Sequence, residues 1–360
     1  MLQIKNSNIG LIDNDLIYRK NHNFPNLALM KISAYLKKNN NNVELISFDA
    51  IGGLFDYDFY IVSKVFSDTY TPEIVFNSDK IIYGGSGFFY DKAENLPDEI
   101  EHTMPDYNLY KNAYNLITKG KDHFFKNHSI GFMTRGCIRK CEFCINKNYS
   151  KVYKHSDLYE FLDNEKPYIT LLDDNITAYK NFNEIIIQLR DTGKPFTFKQ
   201  GMDFRLLNKE RMELLNTCKM YGKTDKNTLR TFYFAFDNYS DKEVIEKNLI
   251  IWNDIFPRTT MKVFYVLCGF KRERYSDFYE DDYFELIERI RILFRYKAKP
   301  YIMRYNLCIG HKYEYKISIL SQFCNYILRL GNNSLEKYLI ANKINIDIFT
   351  KDELKLEYKY

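Results

Sequence analysis

Three cysteines, Cys137, Cys141 and Cys144, lie in the run Gly131-Phe-Met-Thr-Arg-Gly-Cys-Ile-Arg-Lys-Cys-Glu-Phe-Cys144. Thiolate is a soft ligand, so three of them in one short loop select zinc or an iron–sulfur cluster over a hard cation. A structural zinc site wants a fourth protein ligand, and the local candidate is His155, eleven residues past Cys144. A disulfide framework is disfavoured by an odd total of seven cysteines and by a start, Met1-Leu-Gln-Ile-Lys-Asn-Ser-Asn8, that lacks the apolar run of an export signal. Three local thiolates on a 4Fe–4S cube leave one iron open to a small ligand, and that is the chemistry the C-x3-C-x2-C spacing points to.

The loop follows a strand-like stretch, Ser129 to Thr134. Five more such runs come after it: Tyr168–Leu172, Phe196–Gln200, Thr231–Phe236, Lys262–Cys268 and Pro300–Tyr305. Amphipathic segments of helical length separate them: Phe182–Leu189, Lys209–Cys218, Asp241–Trp252 and Asp282–Tyr296. Alternating strands and helices predict parallel strands with crossover helices, and six such units make a partial, open (β/α)6 TIM-like barrel over 129–310. Chemistry in such folds gathers at the C-terminal strand ends. Those ends here read Asp173-Asp174-Asn175, then Gln200, Asp203 and Arg205, then Asp237-Asn238, with Cys268 and Arg304 at the ends of the last two strands.

Residues 1–90 predict a smaller doubly wound α/β unit, with strands Ile9–Ile12, Val43–Ile46, Phe59–Val62 and Lys80–Tyr83 and a helix from Pro25 to Lys38. The last of these strands runs into Gly84-Gly85-Ser86-Gly87, where glycines permit either close approach to a ligand or merely a tight turn. Residues 91–128 form a connection rich in Tyr and Phe, and 311–360 a C-terminal helical extension: one amphipathic helix from Tyr313 to Leu330 and a polar tail.

With 360 residues the chain has ample material for a core. An apolar fraction of 45% excludes a disordered protein. The 52 basic and 47 acidic side chains leave a net charge of +5, too mild to indicate a nucleic-acid partner. No stretch reaches the length of a membrane span, and sparse cysteines fit a reducing compartment, so a soluble cytoplasmic protein is expected, in an anaerobic or well-protected setting because an open cluster is oxygen-labile.

The spacing, with aromatic Phe143 just before the last cysteine, resembles the radical S-adenosylmethionine (radical SAM) superfamily. The N-terminal unit, together with Met104-Pro-Asp-Tyr-Asn-Leu-Tyr110, is similar in outline to the Rossmann-like cobalamin-binding domain that precedes many radical SAM barrels. The resemblance implies that Cys137, Cys141 and Cys144 ligate the cluster, that S-adenosylmethionine binds its open iron, and that Phe143 packs on adenine, against an ordinary core role for that ring. It also implies a reductant such as flavodoxin or ferredoxin and an unidentified substrate. The Gly-Gly-Glu-type turn that the superfamily uses for the ligand's ammonium is replaced here by Asp173-Asp174-Asn175, which offers equivalent acceptors; Asp174 reads equally as helix-cap chemistry. Asp237 and Asn238 match the ribose diol. Gln200, Asp203 and Arg205 line the third strand end, with a buried Asp–Arg pair as the structural alternative. Cys268 and Cys308 read as buried packing residues, with a hydrogen-donor or methyl-carrier role as the rarer option.

Gly84, Gly85 and Gly87 leave a bound cobalamin open, although the Asp-x-His-x-x-Gly run of histidine-ligating domains is replaced by Asp13-Asn-Asp-Leu-Ile-Tyr18. The leading expectation is an enzyme that functionalises a C–H bond. A cobalamin-dependent methyltransferase is the alternative, and a non-catalytic iron–sulfur or zinc module the reading from another class. A methylthiotransferase is disfavoured because residues 1–136 hold no cysteine.

Overall fold

The computed structural model describes residues 5–20, 22–52, 57–111, 124–221, 230–270, 280–330 and 333–359. A basic run, Lys271-Arg-Glu-Arg274, which reads from sequence as a solvated face, lies outside them. The protein is a mixed α/β chain with parallel sheets. It divides into two compact units. The first comprises 1–133, 144–148 and 155–170, and the second 134–143, 149–154 and 171–360.

In the first unit, β1 (Asn8–Asp13), β2 (Asn42–Leu45), β3 (Phe59–Ser63) and β4 (Ile81–Gly84) form a parallel sheet of order β2–β1–β3–β4. The run Ile9, Leu11 and Ile12 is fully buried, as a central parallel strand covered on both faces demands. Helix α1 (Leu27–Lys38) starts after Asn26, whose side chain accepts the Leu29 N–H. Pro25 therefore precedes the cap instead of opening the helix. Leu29, Met30 and Leu36 of α1 pack on Ile9, Leu11 and Val43. The same core takes in Leu109 and Tyr110 of the connection, and Asp106 accepts from Ser33 and Lys37 of α1, each at 2.7 Å.

Strands β5 (His128–Gly131), β6 (Thr134–Arg135), β7 (Tyr153–Lys154), β8 (Tyr168–Leu171) and β9 (Phe196–Phe198) follow. The strand expected over Ser129–Thr134 is thus split in two. At Gly131 the chain runs so close to Phe161 that a Cβ would stand 2.3 Å from its ring. β6 then turns away to pair antiparallel with β7.

The second unit continues with α2 (Phe182–Asp191), α3 (Lys209–Asn216), β10 (Thr231–Ala235), α4 (Lys242–Ile255), β11 (Met261–Cys268), α5 (Glu280–Arg295), β12 (Lys299–Arg304), α6 (Glu314–Leu330) and α7 (Leu335–Ala341). The expected elements are present, but the strands fall into two three-stranded sheets, β5–β8–β9 and β10–β11–β12. β9 stops at Phe198, Gly201 turns the chain with φ +82°, and only then does Met202 bridge to Phe234 of β10. The aromatic excess fills this unit: Phe204, Phe234 and Phe264 meet ring to ring, and Trp252 of α4 lies on Phe232, Phe234 and Phe256. Residues 311–360 lie within it, and the tail expected to be polar buries Leu335, Leu339, Phe349, Leu356 and Tyr358. Among the described residues, no helix is long and apolar enough to cross a membrane.

Candidate metal centre

The loop carrying Cys137 begins at β6, and the end of β8 holds it in place. Asp173, fully buried, accepts both the Thr134 N–H and the Thr134 hydroxyl, each at 2.6 Å. Asp174 accepts the Gly136 N–H at 2.8 Å. The Asn175 side-chain amide donates to Cys137 Sγ at 3.3 Å. Three consecutive residues at one strand end therefore secure three points along the approach to the first cysteine. Gly136 is required here: its φ is +95°, and a Cβ would stand 2.3 Å from the Lys151 carbonyl oxygen.

A second layer of polar contacts lies behind this one. The Asn175 side-chain oxygen Oδ1 accepts from the Thr177 hydroxyl at 2.9 Å, and that hydroxyl accepts the Asp203 N–H at 2.9 Å. Asp203 takes Arg139 Nε at 2.8 Å and both Nε and Nη2 of Arg205, at 2.7 and 3.0 Å. Arg205 continues to Asp241 at 2.6 Å. Burial alone would raise the Asp203 carboxyl, but the two guanidiniums outweigh it and hold the group below the usual carboxylate range. The Asp203–Arg205 pair is therefore present, and Arg139, midway between Cys137 and Cys141, is tied to the same carboxylate.

All seven cysteines are thiols, and the three of the loop are half-buried. Sulfur in this loop faces N–H donors. Cys137 Sγ accepts the Arg139 N–H at 3.2 Å in addition to Asn175, and Cys144 Sγ accepts the Asn146 N–H at 3.4 Å. Such donors stabilise a sulfur bearing negative charge, which is the state a metal requires. Among the described residues, no three His, Cys, Asp or Glu side chains converge as ligands of one ion. A cubane makes a different demand, one thiolate per iron, and the soft donor set with its N–H partners fits it. His155, the candidate fourth zinc ligand, is held by Glu101 at 2.9 Å.

The other expected site residues divide clearly. The Phe143 ring meets Phe270 at 5.4 Å, and Phe270 meets Tyr305 at 5.0 Å, both edge to face, so an aromatic row leads from the cysteine loop to the residues after β11 and β12. Asp237 accepts the Leu267 N–H at 3.0 Å, and burial raises its carboxyl against the lowering effect of that bond and of Arg289. Asn238 and Gln200 are exposed, and Asn238 accepts the Asp241 N–H through its carbonyl.

In the first unit, Gly85 (φ +104°) and Gly87 lie so close to Lys64 that a Cβ on either would stand 2.4 Å from its atoms, whereas a Cβ on Gly84 would meet open space. The close approach those two glycines permit is thus to the chain itself.

Arg139, Thr177 and Arg289 were not singled out from sequence. Arg289 is buried and donates to the carbonyls of Phe236, Asp237 and Leu267, joining the ends of β10 and β11. Its signal was available: it interrupts the apolar stripe Leu286, Ile290 and Leu293 of α5, a position where an unpaired charge could not remain. Arg139 carried no such signal, because a basic residue in a glycine- and cysteine-containing loop reads as solvated.

No family model matches the chain, and no curated protein matches it. Among solved structures, the apo, selenomethionine-labelled form of OxsB, a cobalamin-dependent S-adenosylmethionine radical enzyme, matches at 12% identity with a TM-score of 0.38. The match covers 98% of this chain and 64% of that one, so the chain spans less than two thirds of that protein's length. At this identity and score the likeness does not decide the activity of this chain.

Proposed function

We propose that the chain is a radical SAM enzyme that holds a 4Fe–4S cluster on Cys137, Cys141 and Cys144. The observation that carries this reading is the fastening of a C-x3-C-x2-C loop to one strand end, with the Asn175 amide on the first ligand sulfur. When bound, the cluster would supply one electron to S-adenosylmethionine, whose cleavage gives a 5′-deoxyadenosyl radical able to take hydrogen from a substrate.

The protein's own part is to hold and orient. Asp173 and Asp174 set the path of the loop before Cys137, and their role is positioning. Asn175 and the Arg139 N–H stabilise charge on the Cys137 sulfur. Asp203 keeps Arg139 and Arg205 in fixed places, where the guanidiniums oppose accumulated negative charge. Phe143, Asp237 and Asn238 are the proposed contacts to adenosine, and Gln200 a polar contact beside them. Because Gly85 and Gly87 pack against Lys64, the proposal does not extend to a bound cobalamin.

Anaerobic iron–sulfur reconstitution, followed by dithionite and S-adenosylmethionine, tests the reading by chromatographic assay for 5′-deoxyadenosine. The expected result is nucleoside release that requires both reductant and cluster. Four irons per chain with no release would leave an iron–sulfur module without this activity and defeat the proposal, as would stoichiometric zinc.

A further inference from the structure

Cys268 ends β11, and Cys308 lies just beyond the neighbouring strand β12. Their sulfurs are 3.9 Å apart, and both residues are buried, at 2% and 1% exposure. Two features show that the backbone accommodates this pair. Gly269, with φ +83°, is the residue after Cys268, and a Cβ there would stand 2.5 Å from Cys308 Sγ, so a side chain at that position would expel the thiol. Asn306, Leu307 and Cys308 adopt left-handed φ values in succession, 44°, 56° and 56°, a conformation that residues with a Cβ seldom string together. That turn folds the chain back on β11 and brings Cys308 Sγ to 3.7 Å from the Cys268 carbonyl oxygen. Asp282 accepts the Gly269 N–H at 2.7 Å and anchors the strand end.

We propose that Cys268 and Cys308 form a redox-active dithiol that a small peroxide converts into a reversible disulfide. The sulfurs must close by about 2 Å to reach bonding distance, and the turn after β12 is the part able to supply the movement. Leu307 and Ile309, which flank Cys308, are each 57% exposed, so a small oxidant has a short path to the pair. The hydrogen bond between the two thiols holds Cys308 below the ordinary thiol range and, together with burial, Cys268 above it. Cys308 is accordingly the first nucleophile. Its thiolate attacks one peroxide oxygen, the O–O bond breaks, and hydroxide leaves as water with a proton, giving a sulfenic acid. The Cys268 sulfur then attacks Cys308 Sγ, the S–O bond breaks, and the Cys268 proton leaves with that oxygen as a second water. Two thiols are oxidised by two electrons, and one peroxide is reduced to two waters.

The location gives this chemistry a consequence. Phe270 follows Cys268 by two residues and Tyr305 precedes Cys308 by three, and their rings touch each other while Phe270 touches Phe143. The state of the dithiol thus bears on the aromatic row that reaches the cysteine loop. Cys218, directed at the Leu214 carbonyl, and Cys324, buried within α6, provide internal controls.

The full chain is exposed anaerobically to graded hydrogen peroxide, denatured in N-ethylmaleimide, digested and mapped by mass spectrometry. A cross-linked peptide pair containing Cys268 and Cys308, about 2 Da lighter than the two thiol peptides together, is expected at doses at least about tenfold below those that oxidise Cys218 or Cys324. Dithiothreitol should reverse it, and Cys308→Ser should remove it. Maleimide-labelled Cys268 and Cys308 at doses that already oxidise Cys218 would overturn the proposal, as would linkage of Cys308 to a cysteine of the 137–144 loop. The wild-type map decides the question even if the serine variant does not fold.

Discussion

The strand ends of the two units carry similar residues and use them differently. At the end of β1, Asp13 accepts from Tyr110 at 2.7 Å and from the Leu16 N–H at 3.1 Å. Asp15 accepts from Thr69 at 2.5 Å and from the Val65 N–H at 2.6 Å. Lys64 donates to the Thr69 carbonyl and to Thr71. These polar groups close on one another and knit loops to the sheet. At the end of β8, by contrast, three residues are all directed at the loop that bears the first cysteine, and one of them donates to its sulfur. A polar strand end is therefore no evidence of a site by itself. What distinguishes the end of β8 from the end of β1 is that its hydrogen bonds lead to a potential metal ligand.

The strongest way to break this comparison is Cys141→Ala. Two remaining local thiolates are too few to retain a cube, so reconstituted iron should fall to background, whereas Cys324→Ser should keep the full complement. Iron retention in the alanine variant, measured by colorimetric assay, would remove the basis for calling the second unit functional.

Asp203→Ala comes next. It leaves Arg139 and Arg205 without their shared carboxylate, and loss of one partner in a buried ion pair costs about 3–5 kcal/mol, here nearer the lower value because Arg139 is partly exposed. Denaturant melts should show the drop together with weaker cluster retention. A stability loss with unchanged cluster retention would reduce the pair to scaffolding.

Asp13→Asn addresses the first unit. Burial pushes the Asp13 carboxyl up to about 7 from an unfolded value of 3.8, despite the lowering effects of Tyr110 and the Leu16 N–H. The folded state thus binds this proton more tightly than the unfolded state. The stabilisation is complete below the unfolded value and is lost as pH rises through about 7. Between pH 5 and 7.5 the wild type should lose about 2 kcal/mol more than the Asn variant in urea melts. Parallel pH profiles for the two proteins would show that Asp13 does not titrate in this window.

Gly85→Ala should cost about 1–3 kcal/mol, because the new Cβ meets the Lys64 carbonyl at a left-handed backbone position. Gly84→Ala, with open space around it, should change stability by less than about 0.5 kcal/mol. Iron content should stay constant in both. A loss of iron in Gly85→Ala would make the two units less separate in role than their hydrogen bonds suggest.

The candidate ligands and most elements were legible because their signals are local. Thiolate chemistry depends on spacing along one loop, and strands such as Thr231–Ala235 and Met261–Cys268 announce themselves by runs of Phe, Tyr and Val. The C-terminal tail was misjudged for the converse reason. Leu335 and Leu339 stand one helical turn apart in the short α7, too brief a stretch to set a period, and only the fold shows that Phe349 and Leu356 are buried as well. The roles of Asp173, Asp174 and Asn175 lay between these cases. Their place after a strand was visible, but a carboxylate reads the same in sequence whether it meets a ligand, a helix N-terminus or a neighbouring loop.

The sequence by itself determined that three soft ligands stand within one loop, that strands alternate with helices on either side of it, and that the composition supports a packed core. Tertiary structure alone decided which acid meets which partner. It brought Thr134, Gly136 and Cys137 to residues nearly forty positions later, and Arg139 to Asp203 more than sixty positions away. It also brought Cys268 to Cys308, two thiols that the sequence separates by forty residues and a whole helix. Spacing along the chain encodes local geometry. Contacts across such separations arise only when apolar burial closes the intervening segments, and the sign and strength of each polar group then depend on what that closure sets beside it.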